Sequence, residues 1–423
     1  MSLLRNGIIY SISNALSAGV PFLLLPVLTR ALSPSEYGMV INFFLLVSLS
    51  SALAGLGVHG AVGVKWFGRQ DRDFPRFVGS AVFVALLSTL LCCLLLLILA
   101  TLLDINIALP ARLWVVAGLC AGSTTLIGLR AALWQSQGKA IHASLLQLFN
   151  ACTNVTFSLV GVFFFQLGGE GRILGATSAS CVSAIAATIL LLVTRQARIT
   201  MALADIRELT RFGLPLIPHT LAGALLITAD KIAVSTQLGV TAIGIYGAAA
   251  QIGAAMNLLA DAMVKTFSPW MYEQLTFKLP SSNLKIVGAT YLMIPIWFAL
   301  ALGIWLVFRV TGTFILGARY AGAIDLSLWF LLGGAVSAIY LSIAGLFFFT
   351  SRTEWLSVAT LTSGCLGLGV AIMLTQHFGV RGGGAAFLAT QTISLLATWY
   401  LSTKIFPMPW GTPRLAVRAF LTK

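Results

Sequence analysis

The chain has 423 residues, of which 58% are hydrophobic and only 9% are charged, and its formal net charge is +14. An ordinary soluble domain carries roughly 25% charged residues, so this composition excludes a soluble globular protein and indicates a chain embedded in a bilayer. The lysines and arginines stand in short tracts between apolar runs, without a basic face or an RNA-binding motif, so we expect no nucleic-acid partner.

Twelve apolar runs are long enough to cross a bilayer as helices, because about 20 helical residues span its hydrocarbon core. The first run is too long for the core of a signal peptide and lacks a small-residue cleavage site. All twelve are continuously apolar, which excludes the alternating pattern of barrel strands. We predict spans near residues 7–29, 38–63, 78–103, 111–134, 143–166, 173–194, 212–236, 243–264, 286–308, 324–349, 355–376 and 383–403, with turns at 104–110, 168–172, 280–283 and 379–382.

The positive charges are distributed unevenly between alternate loops. One set of loops holds 19 of the 26 lysines and arginines, the other set holds six, and Lys231 lies inside a span. Because positive residues are retained on the cytoplasmic side, this bias predicts that both termini are cytoplasmic.

The two halves of the chain share a weak internal repeat. A shift of 206 residues aligns RNG at 5–7 with RFG at 211–213, and LSPSEYG at 32–38 with LGVTAIG at 238–244. A shift of 211 residues pairs GGEG at 168–171 with GVRG at 379–382. Six spans in each half give the copies the same orientation, so we predict two six-helix lobes, 1–200 and 201–423, related by a parallel repeat.

Short motifs follow one another along nearly the whole chain. They are LSPSEYG at 32–38, GLG at 55–57 with Lys65 and Trp66, the pair Asp230 and Lys231 followed by IGIY at 243–246, FSPW at 267–270, LGARY at 316–320 and GVRGGGAA at 379–386. In their order and spacing the chain resembles the Wzx-type O-antigen and polysaccharide flippases, whose superfamily also holds the multidrug and toxin extrusion transporters.

The resemblance implies an all-α polytopic transporter of about 12 transmembrane helices in the bacterial inner membrane. Its cargo would be an undecaprenyl-pyrophosphate-linked oligosaccharide, an O-antigen or related polysaccharide unit, moved from the cytoplasmic to the periplasmic leaflet by alternating access. We expect H+ or Na+ to drive it, since the sequence has no nucleotide-binding loop, and polysaccharide polymerase machinery is a further expected partner.

Two other functions stay open at this point. A drug/cation antiporter of the same superfamily would share the fold, although a basic interior disfavours it. A membrane glycan polymerase or ligase would also be polytopic and directed at saccharides. The longest predicted outer loop is only about 15 residues by the span-length criterion, which is short for such an enzyme.

Charged residues at membrane depth are costly, so they are the first candidates for the site. We predict that the path of the pyrophosphate and glycan includes Arg30, Lys65, Arg130 and Lys231. Lys65 and Arg130 lie near the ends of their spans, where snorkelling to the headgroups is the alternative role. Arg30 would alternatively be an interfacial anchor. Lys231 would alternatively form a structural ion pair with its neighbour.

Three titratable residues are candidates for binding the coupling ion. Asp230 adjoins Lys231 in the seventh span, and Asp261 lies four residues before Lys265, where a surface i,i+4 pair is the alternative. His59 lies in a glycine-rich part of the second span, and we expect a histidine to exchange a proton near neutral pH, although an interior hydrogen bond is the alternative.

Prolines occur at matching places in the two halves. Pro21 and Pro26 would interrupt the first span, and Pro215 and Pro218 would break the start of the seventh. Breaks at corresponding positions point to moving or site-lining helices, and plain kinks are the alternative.

The sequence predicts neither a cofactor, nor a metal site, nor an enzyme. Six cysteines lie inside apolar segments without disulfide or zinc spacing, and no catalytic motif is present. They are Cys92, Cys93, Cys120, Cys152, Cys181 and Cys365.

Overall fold

A computed structural model describes residues 19–71, 73–102, 109–277, 279–350 and 352–422. Within these ranges every regular element is helical, which confirms the predicted all-α fold. The helices are α1 (Gly19–Ala31), α2 (Pro34–Ser50), α3 (Val58–Lys65), α4 (Phe74–Leu102), α5 (Ala111–Ser136), α6 (Ala140–Leu159), α7 (Gly168–Val193), α8 (Leu203–Gly213), α9 (Ile217–Thr276), α10 (Pro280–Ile315), α11 (Gly322–Phe349), α12 (Thr353–Ile405) and α13 (Pro413–Leu421).

Two of these helices are too long to be single spans. α9 has 60 residues and α12 has 53, so each would run about 80–90 Å, against about 30 Å of hydrocarbon. Gly239 divides α9 with a φ of 81°, and Gly379 divides α12 with a φ of 60°. Counting these divisions, and α2 with α3 as one crossing, the described residues form about twelve spans, as predicted.

The second predicted span, 38–63, is two helices in the structure and not one. Its helix ends at Ser50 and resumes at Val58 as α3. Leu56 and Gly57 both have positive φ values, 47° and 61°, which an α-helix cannot accommodate. The continuously apolar sequence hides this break, because hydropathy carries no signal for backbone conformation.

Other predicted boundaries shift by a few residues. Residues 280–283, expected as a turn, instead begin α10, since Pro280 occupies the first helical turn, where a missing N–H costs nothing. Of the first predicted span, residues 7–18 lie outside the described ranges, as does most of the turn expected at 104–110.

The chain divides into two compact units. The first contains the described residues up to Ala224 together with Gly239–Gly244. Its central helix is α5, which contacts α2, α3, α4, α6 and α7. The amphipathic helix α8 packs on α3 and α4, where Arg76 Nε lies 3.1 Å from Asp205 Oδ2.

The second unit contains Leu225–Leu238 and Ile245 onward. Its central helix is α11, whose most apolar stretch is 78% buried, against 17% for α10. α11 packs against α10 and α12, and α13 packs along α10. The exposed apolar face of α10 is what a lipid-facing helix requires. The lobes 1–200 and 201–423 inferred from the repeat stay a prediction.

Candidate functional site

The second unit contains a buried carboxylate. Asp230, on the part of α9 before Gly239, is only 3% exposed. Tyr246, on the part after Gly239, is fully buried and donates its hydroxyl to Asp230 Oδ2 at 2.7 Å. A buried carboxylate needs such a donor because burial removes its hydrogen bonds to water.

Lys231 places an ammonium group beside this carboxylate. Its Nζ lies 3.6 Å from Asp230 Oδ2 and donates to the Ile227 carbonyl at 2.9 Å. The same Nζ lies 6.0 Å from the ring centroid of Phe330 and 5.9 Å from that of Phe387. The rings therefore offer the ammonium weak cation–π contacts in addition to the carboxylate. We call Asp230, Lys231, Tyr246, Phe330 and Phe387 the acid–aromatic cluster.

Close helix packing assembles the acid–aromatic cluster. The Phe330 ring lies 4.8 Å from that of Tyr246 and 5.1 Å from that of Phe387, measured between centroids. A methyl group on Gly383 would come within 3.1 Å of the Tyr246 ring, and one on Gly333 within 2.5 Å of the Phe387 ring. Glycine at these two positions lets α11 and α12 approach closely enough to enclose the rings.

Sequence reasoning identified only part of this cluster. It singled out the adjacent Asp230 and Lys231, which the structure places as an ion pair, and it missed the tyrosine that hydrogen-bonds the acid. Tyr246 ends the IGIY motif, and that was the available signal. Phe330 and Phe387 gave none, because apolar spans contain many phenylalanines.

The other two coupling-ion candidates have exposed side chains. Asp261 Oδ2 and Lys265 Nζ lie 2.6 Å apart as an i,i+4 pair, with the Asp261 side chain 54% exposed. His59 is the second residue of α3, is exposed, and makes no side-chain hydrogen bond with any described residue. Burial therefore distinguishes Asp230 from both.

Arg130, on α5 in the first unit, has a buried side chain. It is only 1% exposed, its guanidinium lies 3.9 Å from the centroid of the Trp134 ring, and it donates to Gln196 Oε1. Its Nε has no hydrogen-bond partner, and no carboxylate of the described chain pairs with it. The charge thus lies inside the unit without a counter-ion among the described residues.

A second buried arginine, Arg172 on α7, was not among the predicted site residues. It is 6% exposed and donates through Nη1 to Asn154 Oδ1 at 2.8 Å and to Ser158 Oγ at 2.6 Å. Its sequence position after a Gly-rich turn suggested a loop, whereas α7 begins four residues earlier, at Gly168. Within the described ranges it also forms no ion pair.

The remaining predicted cations and the prolines lie at helix ends or surfaces. Lys65 ends α3 and pairs with Glu208 of α8, and Arg30 is exposed near the end of α1. α1 runs through Pro21 and Pro26 and is divided at neither, because an interior proline can remove one hydrogen bond without ending a helix. Pro215 lies in a 3₁₀ turn, and Pro218 is in the first turn of α9.

Residues 3–274 match the family described as "Polysaccharide biosynthesis protein". Two proteins of Haemophilus influenzae are each 24% identical to the chain. "Lsg locus putative protein 1" aligns over 89% of this chain and 92% of its own length, and an "Uncharacterized membrane protein" over 87% and 89%.

Solved structures share the fold at low sequence identity. An inward-facing multidrug resistance MATE family transporter of the MOP superfamily superposes with a TM-score of 0.66 at 14% identity, covering 99% of this chain and 96% of that one. The Vibrio cholerae MATE transporter VcmN, in a mutant form, gives 0.62 at 13% identity and 98% coverage of both chains. The chain has the fold of a MOP-superfamily transporter and belongs to the polysaccharide biosynthesis protein family.

Proposed function

We propose that this protein flips an undecaprenyl-pyrophosphate-linked oligosaccharide from the cytoplasmic to the periplasmic leaflet of the bacterial inner membrane. The membership of the polysaccharide biosynthesis family supports a saccharide cargo, and the MOP-type fold supports transport by alternating access. In this proposal both termini are cytoplasmic, the protein is a transporter without enzymatic activity, and it works beside a polysaccharide polymerase.

The observation that carries the proposal is that the first unit contains two buried arginines, each with its own set of neighbours. Arg130 and Arg172 are 1% and 6% exposed, and neither has a carboxylate partner among the described residues. Burying an uncompensated cation is expensive, so in this proposal an anion binds the arginines at some stage of the cycle. A pyrophosphate offers several oxygens, which guanidinium groups bind through charge-assisted hydrogen bonds.

In this proposal Asp230 binds the coupling proton. With the carboxylate ionised, the Tyr246 hydroxyl and the Lys231 ammonium both stabilise it. A proton arriving at the free oxygen of Asp230 would remove the charge that attracts Lys231 and weaken their contact. The two protonation states therefore favour different positions of Lys231, which is the kind of bias that shifts a two-state equilibrium.

Flipping of a fluorescent prenyl-pyrophosphate oligosaccharide in proteoliposomes tests the proposal. Wild-type protein should expose the glycan to an external lectin faster than protein-free vesicles do. Arg172→Met should reduce this rate at least roughly tenfold, the loss expected for one charge-assisted contact. Lys265→Met, which removes a half-buried cation of the second unit, should leave the rate unchanged. An Arg172→Met rate equal to that of wild type would contradict the role of this arginine.

A drug/cation antiporter is the second candidate, and one observation favours it. A buried acid beside aromatic rings is a suitable binding site for an organic cation. In this chain, however, the Lys231 ammonium already occupies that place, 3.6 Å from the carboxylate. If the wild-type protein in proteoliposomes exports ethidium and does not flip the glycan, the antiporter replaces the flippase as the proposed function.

A further inference from the structure

The first unit contains a second cationic feature, distinct from the acid–aromatic cluster. A cavity of about 370 Å³ opens where the segment after α3 meets the end of α7, a volume within the range of small-molecule sites. We call it the arginine cavity. Its polar lining consists of Trp66, Arg69, Asp73, Arg195, Gln196 and Arg198.

The arginine cavity has an excess of positive charge. Arg198 Nη1 lies 3.1 Å from Asp73 Oδ2, so one guanidinium is paired. Arg69 stacks on Trp66, with Cζ 4.0 Å from the ring centroid, and donates to the Trp66 carbonyl. The Arg195 side chain makes no hydrogen bond or ion pair with any described residue. Arg69 and Arg195 therefore pair with no carboxylate among the residues that the structure describes.

Arg195 also has an unfavourable backbone conformation. It follows the end of α7 with a φ of +54°, in a position where helices usually carry glycine. Its N–H bonds to the Leu192 carbonyl at 3.0 Å, and that of Gln196 bonds to the Leu191 carbonyl at 2.9 Å. A glycine would form the same turn without strain, so the backbone conformation alone does not account for an arginine at this position.

Arg130 extends the positive charge behind the arginine cavity. This buried arginine donates to the amide oxygen of Gln196, and Gln196 lines the cavity. Through this bond the uncompensated charge of Arg130 lies next to the cavity wall. An anion in the cavity would offset the charges of Arg130 and Arg195 together.

Exposed apolar side chains flank the arginine cavity. Phe67, next to Trp66, is 77% exposed, and Ile199, next to Arg198, is 89% exposed. Side chains of this kind are stable when acyl chains cover them. The surroundings therefore favour an anion that carries a hydrocarbon tail over a free ion.

We propose that the arginine cavity binds the phosphate group of an anionic lipid. Guanidinium groups match phosphate oxygens in geometry, and basic pockets at membrane-facing helix ends bind lipid headgroups. Two lipids offer this chemistry, an anionic phospholipid of the bilayer and the prenyl pyrophosphate of the substrate. Only the second source rests on the proposed function.

Binding to the purified full-length protein tests the proposal at constant ionic strength. The probes are dioctanoyl phosphatidylglycerol, farnesyl pyrophosphate and inorganic pyrophosphate. Arg195→Gln and Arg195→Gly should each raise the Kd for at least one lipid probe roughly tenfold or more, the change expected for one lost phosphate contact. Arg207→Gln removes an exposed arginine of α8 outside the cavity and should leave the Kd unchanged.

The glycine variant separates binding from folding. Because glycine relieves the positive φ, Arg195→Gly should keep or raise the Tm while it weakens binding. Phosphatidylglycerol binding alone identifies a phospholipid site, and farnesyl pyrophosphate binding alone identifies the substrate. Binding of inorganic pyrophosphate without either lipid, or equal weakening by Arg195→Gln and Arg207→Gln, would overturn the proposal.

A parallel flipping measurement keeps the two proposals separable. Protein that binds phosphatidylglycerol through Arg195 but does not flip the labelled glycan supports the lipid site and refutes the proposed function. Protein that flips the glycan without Arg195-dependent binding refutes only the lipid site.

Discussion

Gly38 and Gly244 face each other in the first unit. Because neither has a side chain, the backbone of each helix fills the space that a Cβ atom on the other would need. A Cβ atom on Gly38 would lie 1.9 Å from the Val240 carbonyl oxygen, and one on Gly244 would lie 1.8 Å from the Pro34 carbonyl oxygen. Both pairs of equivalent residues, 34 with 240 and 38 with 244, are related by the 206-residue shift of the internal repeat. The contact is therefore reciprocal, since each glycine faces the backbone of the other helix.

Alanine at either glycine is expected to destabilise the protein. No real Cβ approaches a backbone oxygen this closely, so Gly38→Ala or Gly244→Ala must separate the two helices, at about 1–3 kcal/mol for overpacking. The Tm in detergent, measured by fluorescence, should fall by several degrees. Gly303→Ala is the matched control, since a methyl group there meets nothing within 4 Å. Equal Tm values for all three variants would show that the helices separate without cost.

The acid–aromatic cluster gives a second prediction, on Asp230 and Tyr246. Asp230→Asn can still accept the Tyr246 hydrogen bond but carries no charge and cannot take up a proton. We expect normal folding, flipping reduced at least roughly tenfold, and loss of its dependence on an imposed ion gradient. Flipping in proteoliposomes with and without a pH or Na+ gradient measures both effects.

Tyr246→Phe is the matched control for Asp230→Asn, because it removes the hydrogen bond and keeps the acid. It leaves the buried carboxylate short of a donor, which costs about 1.5–3 kcal/mol for a bond to a charged group. The Tm should therefore fall, while the gradient dependence persists. If both variants lose stability and keep gradient-driven flipping, Asp230 is a structural residue.

Part of this architecture could be predicted from the sequence. Hydropathy and span length predicted the helical fold and a division between residues 236 and 243, and the glycine-rich segment 379–382 predicted the turn at Gly379. The break before α3 could not be predicted, since Leu56 adopts a positive φ that nothing in its side chain favours. Predicted helix ends such as the one near Pro280 differ from those in the structure by a few residues. Capping residues and proline determine where these helices begin, and hydropathy does not detect them.

The candidate site was less predictable than the fold. A charge in an apolar run is visible in a sequence, so Asp230, Lys231 and Arg130 were found. What contacts each charge depends on packing between distant segments, as for Arg130 with Gln196 or Asp230 with Tyr246. Arg172 was missed because it stands beside turn residues, where a cation is ordinarily solvated.

Lys231→Met gives a third prediction, about selectivity. Methionine keeps much of the side-chain volume but removes the ammonium from beside Asp230, Phe330 and Phe387. The vacated place then combines an acid with two rings, which suits an organic cation. We expect the variant to bind ethidium at least roughly tenfold more tightly than the wild type, by about 1.4 kcal/mol. Fluorescence titration measures this, and Lys265→Met, with no ring contact, should resemble the wild type.

Lys65 and Glu208 allow a structural role to be separated from a role in transport. Their side chains are 38% and 35% exposed, so the ion pair between α3 and α8 is worth about 0–1 kcal/mol. Lys65→Glu alone places two carboxylates together and should lower the Tm slightly, whereas adding Glu208→Lys restores an ion pair of reversed polarity and should restore the Tm.

Flipping by the same variants distinguishes the two roles of Lys65. If Lys65 only holds α8 against α3, the double variant also recovers flipping. If Lys65 receives the pyrophosphate, flipping stays low although the Tm recovers, because the cation has moved to the other helix. Measuring both quantities on the same preparations therefore assigns Lys65 to the substrate path or to packing.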